Sequence, residues 1–585
     1  MVQASGNLDP ILTAVIGNRF EAITKEIGQA MLRSSRSPIF SEARDFATAV
    51  FDKYNRLVAE TAYIPILMAS LPFAVASISK SFESDINEGD VFILNDPFAG
   101  NNHAPDITII KPVYWQGELQ FWSATKGHHV DVGGGGICGY NPEATSIFEE
   151  CIRITPARLY CKGEYQKDQW EMLLNNIQLG YLVEPDLHCQ VGACKIGERG
   201  IRALLAKYGP EQLYKVIEEL YNTTERQVIS EVAAIPDGTY YAERYLDHDG
   251  VNKDAMIKIA VAIEVKGTEI TFDLSRSDSQ VAGYVNSTFP NTASACFVSF
   301  FTSIETEIRF NEGALRSINI VAPEGLVVNA KFPSPTVCCT ISTGTAIVEA
   351  AWLALSQAIP RQVQAAWARW CAPTTIGFNP KTGRIFADIH FMCKGGGGAT
   401  YGYDGWDHMG VVICSGGLRA PDPELHEMVN PYFLLQYEYW PDSSGAGQWR
   451  GGMGTVYRWR VDAPNVAAAN FGGGVRKETA PFGLDGGMDA PPHQLSIVKA
   501  NGEMIKVDAE TFYRLDQGDI FEIYESGGGG FGRPFARPPE KVLEDVRNGL
   551  VSLEKARKDY GVVIDPQTYQ VDTESTFMLR AKLTT

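Results

Sequence analysis

Asp90-Val91-Phe92-Ile93-Leu94-Asn95-Asp96-Pro97-Phe98-Ala99-Gly100-Asn101-Asn102-His103-Ala104-Pro105-Asp106 opens the stretch on which the reading of this chain turns, and Lys126-Gly127-His128-His129-Val130-Asp131 closes it. The apolar run 90–94 spells a buried strand. It empties into a turn-rich loop of Asn, Asp, Pro and Gly. Residues 107–114 and 119–125 read as two further strands joined across Gln116-Gly117. His103 and Asp106 lie before this hairpin, and His128, His129 and Asp131 lie where it ends. Both polar groups therefore sit at strand ends of what reads as one sheet, where a rigid scaffold presents chemistry.

Working outward, Asp9-Pro10 has the form of a helix cap and first turn, and apolar residues at helical spacing carry that helix to Ser34 or Ser35. Residues 45–51 read as a strand that begins at Asp45, and 70–81 as a helix. Helices dominate 169–234 with a gap at Gly209-Pro210. Alternation over 257–265, a turn at Lys266-Gly267 and a resumption at Ile270 predict a hairpin. A helix is expected over 345–359, strands with many glycines and aromatics over 385–533, and two short helices at the end, the second over 552–560 before Gly561. The expected class is α+β and multidomain, with mixed sheets, flanking helices and a β-rich C-terminal half. The divisions are an α/β metal-binding domain at 1–235, an α+β domain at 236–384, a β-rich, glycine-rich domain at 385–535, and helices with a tail at 536–585. A length of 585 residues exceeds one ordinary core.

The net charge of −19 argues against a nucleic-acid or anionic-membrane partner. Eleven cysteines form no C-x-x-C pair and lie mostly in apolar runs, the pattern of free thiols in a reducing compartment. Residues around Asn7 carry no basic-then-apolar leader, and no apolar run of about 18 residues stands out as a membrane span. A cytoplasmic location is the expectation.

Nine histidines occur in the chain, and three of them fall in the opening stretch. With Asp45 and Asp106, His103 and His128 offer two imidazoles and two carboxylates, donors suited to zinc, manganese or iron. The spacing alone also fits loop polars that cap turns around Asn101, Asn102 and Gly133. Glu149 and Glu150 offer a general acid or base, or else a solvated pair at an element boundary. Glycine runs at 133–136, 395–398, 472–474 and 527–530 match neither a phosphate loop nor a dinucleotide fingerprint. They read as tight turns, and the chain shows no nucleotide site of its own. Ser443-Ser444 reads as a turn, and Cys138 and Cys151 as buried structural thiols.

The chain resembles the hydantoinase B/5-oxoprolinase family, the B-type subunits of ATP-dependent amidohydrolases and related carboxylases. The resemblance rests on Glu42-Ala43-Arg44-Asp45-Phe46, Asn95 to Phe98 through His103 to Asp106, and Lys126 to Gly134. It continues through Pro236 to Tyr240, Asp442 to Gly447 with Arg450-Gly451-Gly452, Pro481 to Gly487 and Gly527 to Gly532. It implies one divalent ion on Asp45, His103, Asp106 and His128, zinc foremost with manganese or iron as alternatives, and His129 or Glu150 moving a proton. It implies a larger A-type partner that binds ATP and Mg²⁺ in a kinase-like fold, in an α2β2 heterotetramer. The implied reaction is opening of a lactam or cyclic imide after phosphorylation by the partner. The alternatives are ATP-dependent carboxylation of a ketone and a non-catalytic scaffold for the ATP-binding subunit. Two departures stand out. Asn101-Asn102 replaces the family's usual Gly-Gly, and Glu150-Cys151 its usual Glu-Gly, which bears on substrate fit.

Overall fold

A row of apolar residues on α1 (Pro10–Ser34), including Phe20, Ile23 and Ile27, is buried against the first sheet and against the long helix α4 (Gly180–Ala234). The computed structural model describes residues 9–584; the leader reading of residues 1–8 lies outside them. Asp9 caps α1 by accepting from the Ile11 N–H, as its sequence anticipates. Helix α4 contains one break, at Gly209 (φ 75°), a backbone that favours glycine.

The first sheet is built from β1 (Phe46–Asp52), β2 (Leu57–Ala62), β3 (Val91–Leu94), β4 (Asp106–Trp115), β5 (Glu118–His128), β6 (Ala157–Cys161) and β7 (Glu164–Tyr165), in the order β2-β1-β5-β4-β3-β6-β7. Its central trio β1-β5-β4 is antiparallel. Helices α1 and α4 cover one face, and segments from the middle and C-terminal parts of the chain cover the other at the strand ends. Helix α2 (Leu71–Phe82) and its preceding turn at Pro65–Leu67 make an apolar stretch of 18 residues, of which 44% is buried in the fold. At 12 residues the helix spans about 18 Å, short of a bilayer's hydrocarbon core.

A second sheet, in the order β11-β10-β9-β8, holds β8 (Gly238–Leu246), β9 (Ile257–Lys266), β10 (Glu269–Asp273) and β11 (Ile318–Val321), with the expected hairpin between β9 and β10. Helices at Phe289–Phe301 and Thr343–Leu355 pack together; the first carries apolar residues on every side and is almost wholly buried, so it shows no amphipathic period.

In the C-terminal half the strands are β12 (Cys371–Asn379), β13 (Arg384–Ile389), β14 (Tyr432–Tyr439), β15 (Thr455–Val461), β16 (Val466–Gly472), β17 (Gln494–Val498), β18 (Met504–Lys506), β19 (Thr511–Leu515) and β20 (Ile520–Tyr524). They form two sheets, β13-β12-β16-β19 and β14-β15-β20-β17-β18. The expected boundary at 384/385 is corrected here: β12 and β13 pair as a hairpin, so the division cuts a single ladder. One continuous hydrophobic core runs from Ile16 to Phe531, and a small cluster around Val542 and Tyr560 closes the chain.

Candidate metal centre

Strand register assembles the site. Phe46 pairs with Gly127, and the next position places Asp45 beside His128, whose N–H donates to the Asp45 carbonyl at 3.0 Å. On the other side of β5, Asp106 pairs directly with His128. Asp45, His128 and Asp106 thus form one row across three adjacent strands, on one face of the sheet. Asp45 is delivered there by a π-type turn over Ile39–Ala43 that ends at Arg44 in a left-handed backbone (φ 62°). The loop before β4 adds His103, whose Nε2 lies 2.9 Å from Asp106 Oδ1; His128 Nδ1 lies 3.1 Å from the same oxygen.

His103 Nδ1 lies 2.6 Å from the Val337 carbonyl oxygen, which only accepts, so Nδ1 carries the proton and Nε2 presents a lone pair. Asp106 Oδ2 and His128 Nε2 are buried and have no hydrogen-bond partner. Loop polars that merely capped turns would not leave these atoms bare. The ligand atoms of His103, Asp106 and His128 lie within 4.8 Å of one another, a donor set that fits a divalent ion of the zinc class, and Asp45 borders the same cavity outside that close group. Burial would raise Asp106, but the imidazoles of His103 and His128 hold it far below the usual carboxylate range. Burial pulls His103 down, and the Asp106 carboxylate outweighs it, leaving that imidazole more basic than usual. Asp45 is lifted by burial to about 6, against the attraction of His128.

These four side chains line one cavity with Tyr140 and an apolar wall that includes Ile389 and Phe391. Its volume of about 20 Å³ admits one water-sized occupant.

The remaining sequence candidates fall elsewhere. His129 follows His128 on the extended chain, so alternation turns it to the opposite face. There its Nε2 donates to Gln190 Oε1 at 2.8 Å and its ring meets Phe40 edge-on; it is not in the cavity wall. Burial depresses it to about 4. Asp131 is structural: Oδ1 accepts from the Gly133 N–H and Oδ2 from the Leu179 N–H at the head of α4. Glu149 is exposed and accepts from the Thr145 N–H. Glu150 is fully buried and also outside the cavity; its carboxylate accepts from the Thr336 and Val337 N–H groups, all at 2.9 Å. It therefore fixes the loop whose carbonyl orients His103. Sequence reasoning missed the Val337 carbonyl, a backbone group that belongs to no motif.

The Asn101-Asn102 departure has a role. The Asn101 amide donates to the carbonyls of Asn95 and His103, and the Asn102 amide to that of Ile66, so the ligand loop is pinned by side chains. The glycine runs at 395–398 and 527–530 are committed to the backbone, whereas Gly133 and Gly474 donate to the carboxylates of Asp131 and Asp247. Amides of Gly396, Gly397, Gly451, Gly452, Gly528 and Gly529 all donate to main-chain carbonyls. Ser443 is buried, with its Oγ accepting from the Gly454 N–H, as a turn requires. The cysteines are free thiols, all but Cys161 buried.

The model of the hydantoinase B/oxoprolinase family matches residues 9–534. The chain is 33% identical to the caprolactamase subunit beta of Pseudomonas jessenii, over 98% of this chain and 99% of that protein. The crystal structure of an ATP-dependent caprolactamase from the same organism superposes with a TM-score of 0.91 at 32% identity, covering 98% of this chain and 100% of that one. A nucleotide-free acetone carboxylase structure reaches the same TM-score of 0.91 at 20% identity, over 98% of this chain and 83% of that one, a likeness of fold alone.

Proposed function

The chain belongs to the hydantoinase B/oxoprolinase family, and on that premise we propose that it is the metal-bearing subunit of an ATP-dependent amidohydrolase that opens a lactam or cyclic imide. The observation that carries this reading is the convergence of His103, Asp106, His128 and Asp45 on one small cavity. The near full-length likeness to a caprolactamase subunit supports the substrate class, and the "beta" in that relative's name supports a second subunit here.

The division of labour follows from amide chemistry. Resonance makes the amide carbon a poor electrophile. Phosphorylation of its oxygen by an ATP-binding partner removes that resonance and creates a leaving group. The glycine runs at 395–398 and 527–530 spend amides on the chain's own backbone, which is consistent with ATP being handled by the partner. His103, Asp106 and His128 would hold the ion, with Asp45 as fourth donor. Such an ion would supply Lewis acidity to a carbonyl oxygen or acidify a water. Glu150 holds the Thr336–Val337 amides, and the Val337 carbonyl holds His103 in the tautomer that frees Nε2. Ile389, Phe391 and their neighbours exclude bulk water, and the wall has to part for a ring substrate to enter. His129 and Glu150 are not retained as proton carriers, since neither reaches the cavity.

The test is to purify the chain with its ATP-binding partner and supply ATP, a lactam and, in parallel, labelled bicarbonate with a ketone. ATP-dependent ring opening without label uptake is expected, and it should vanish in His103→Ala. Fixed label would replace hydrolysis by carboxylation, and full activity in His103→Ala would leave this chain a scaffold.

A further inference from the structure

A second group of metal-type donors lies on the far side of the wall that bounds the first cavity. Strand β13 carries Asp388, the residue just past its end is His390, and the short helix α8 (Pro423–Val429), capped by Asp422, brings His426. His390 Nε2 lies 3.5 Å and His426 Nε2 lies 3.6 Å from the same oxygen, Asp388 Oδ2. The two rings sit 5.5 Å apart at 69°. These separations are too long for hydrogen bonds. They are close to the roughly 3.3 Å that separates donor atoms around a tetrahedral ion with bonds near 2.0–2.1 Å.

The bare atoms point the same way. Asp388 Oδ2 and His426 Nε2 are buried without a hydrogen-bond partner, and His426 as a residue is only 6% exposed. Packing accounts for His390, which stacks on Trp459 at 4.4 Å and has Thr375 and Tyr457 hydroxyls 3.3 Å from its ring nitrogens. It does not account for the other two. His426 Nδ1 faces the Asn430 side-chain amide nitrogen at 3.5 Å. Asp388 and His426 line a cavity of about 40 Å³ with Glu42, Leu425 and Val429, and Ile389 and Phe391 belong to the walls of both cavities.

We propose that Asp388, His390 and His426 form a second binding site for a divalent ion of the zinc class, separate from the His103–Asp106–His128 centre, with Glu42 beside it as additional negative charge. With three protein donors the ion would keep a fourth position open to water, as three-ligand zinc sites do. It joins β13 to α8, two elements 33 residues apart along the chain from Ile389 to Asp422. It thereby steadies the Ile389–Phe391 wall that the two cavities share.

The probe is zinc alone. The full chain, purified with its partner and stripped of metal, is dialysed against zinc and its bound zinc counted by mass spectrometry. Wild type is expected to hold a second equivalent beyond the one assigned to the first centre. His426→Ala and Asp388→Asn lose one equivalent, and the double variant His103→Ala/His128→Ala loses the other and keeps one. Should His426→Ala fail to fold, the double variant still decides. A retained equivalent in it supports the second site, and none retained overturns it. A single equivalent in wild type that survives His426→Ala also overturns it. Loss of the double variant's effect, by contrast, counts against the first centre and not the second.

Discussion

Glu150 acts on the first centre at one remove. Its two oxygens take the N–H groups of Thr336 and Val337, and the Val337 carbonyl in turn takes the His103 proton. In Glu150→Gln one of those oxygens becomes an amide NH2, a donor that faces an N–H group. Zinc affinity should fall about 10- to 100-fold, as it does when groups behind metal-bound histidines are lost. Activity should recover when zinc is raised, a rescue that loss of a proton carrier would not show. His129 gives the opposite case. Its folded pKa of about 4 lies below the ordinary 6.5, so the unfolded chain binds the extra proton first. Its contribution to stability is present above 6.5 and is lost as pH falls toward 4. His129→Gln should therefore flatten the acid-side fall in the urea midpoint while the pH profile of kcat stays unchanged. A shifted kcat profile would restore the histidine to the chemistry. Alternation along a strand already forbids His128 and His129 from facing one site; what residues alone do not supply is which of the pair faces in.

Elements divide into those that announce themselves and those that depend on partners. Strands β1, β3, β4 and β5 of the first sheet were legible to within a few residues, because apolar runs and the Gln116-Gly117 turn mark them, whereas β2, β6 and β7 were not. The helix at 10–34 carries its cap in the sequence, and the gap at Gly209-Pro210 is real. The π-type turn at Ile39–Ala43 was not legible, although it delivers Asp45. Nor was the pairing of β12 with β13, which carries the ladder across the expected boundary at 385. Asp388, His390 and His426 went unremarked for the same reason: a strand and a helix meet there by tertiary packing alone. The glycine runs are another partner-dependent feature. A Cβ on Gly451 would collide with the Gly528 carbonyl, backbone against backbone. Gly451→Ala should destabilise the fold by about 3 kcal/mol, seen as a marked drop in melting temperature. The control is Gly192, exposed on α4 with open space around it. Gly192→Ala should raise stability by about 0.5–1 kcal/mol. Equal effects at the two positions would contradict the packing role given to the runs.

For the whole molecule, one core extends from Ile16 to Phe531, so the parts that wall the candidate metal centre are not independent modules. The centre draws on the first sheet for Asp45, Asp106 and His128, on the middle of the chain for the Val337 carbonyl, and on β13 for Ile389. An ion bound there ties distant stretches together, and anything that binds only the folded chain stabilises it by mass action. The metal-stripped chain should therefore melt several degrees higher on addition of zinc, a gain of about 2.7 kcal/mol when zinc is 100-fold above its Kd. ATP gives a contrasting expectation. The glycine amides that would cradle a phosphate are committed to main-chain carbonyls, as at Gly396, Gly452 and Gly528. ATP with Mg²⁺ should leave the melting temperature of the isolated chain where it was and shift it only when the partner subunit is present. A zinc-insensitive melt would remove the centre from the folded state. An ATP-induced shift in the isolated chain would place nucleotide binding here and overturn the division of labour between the two subunits.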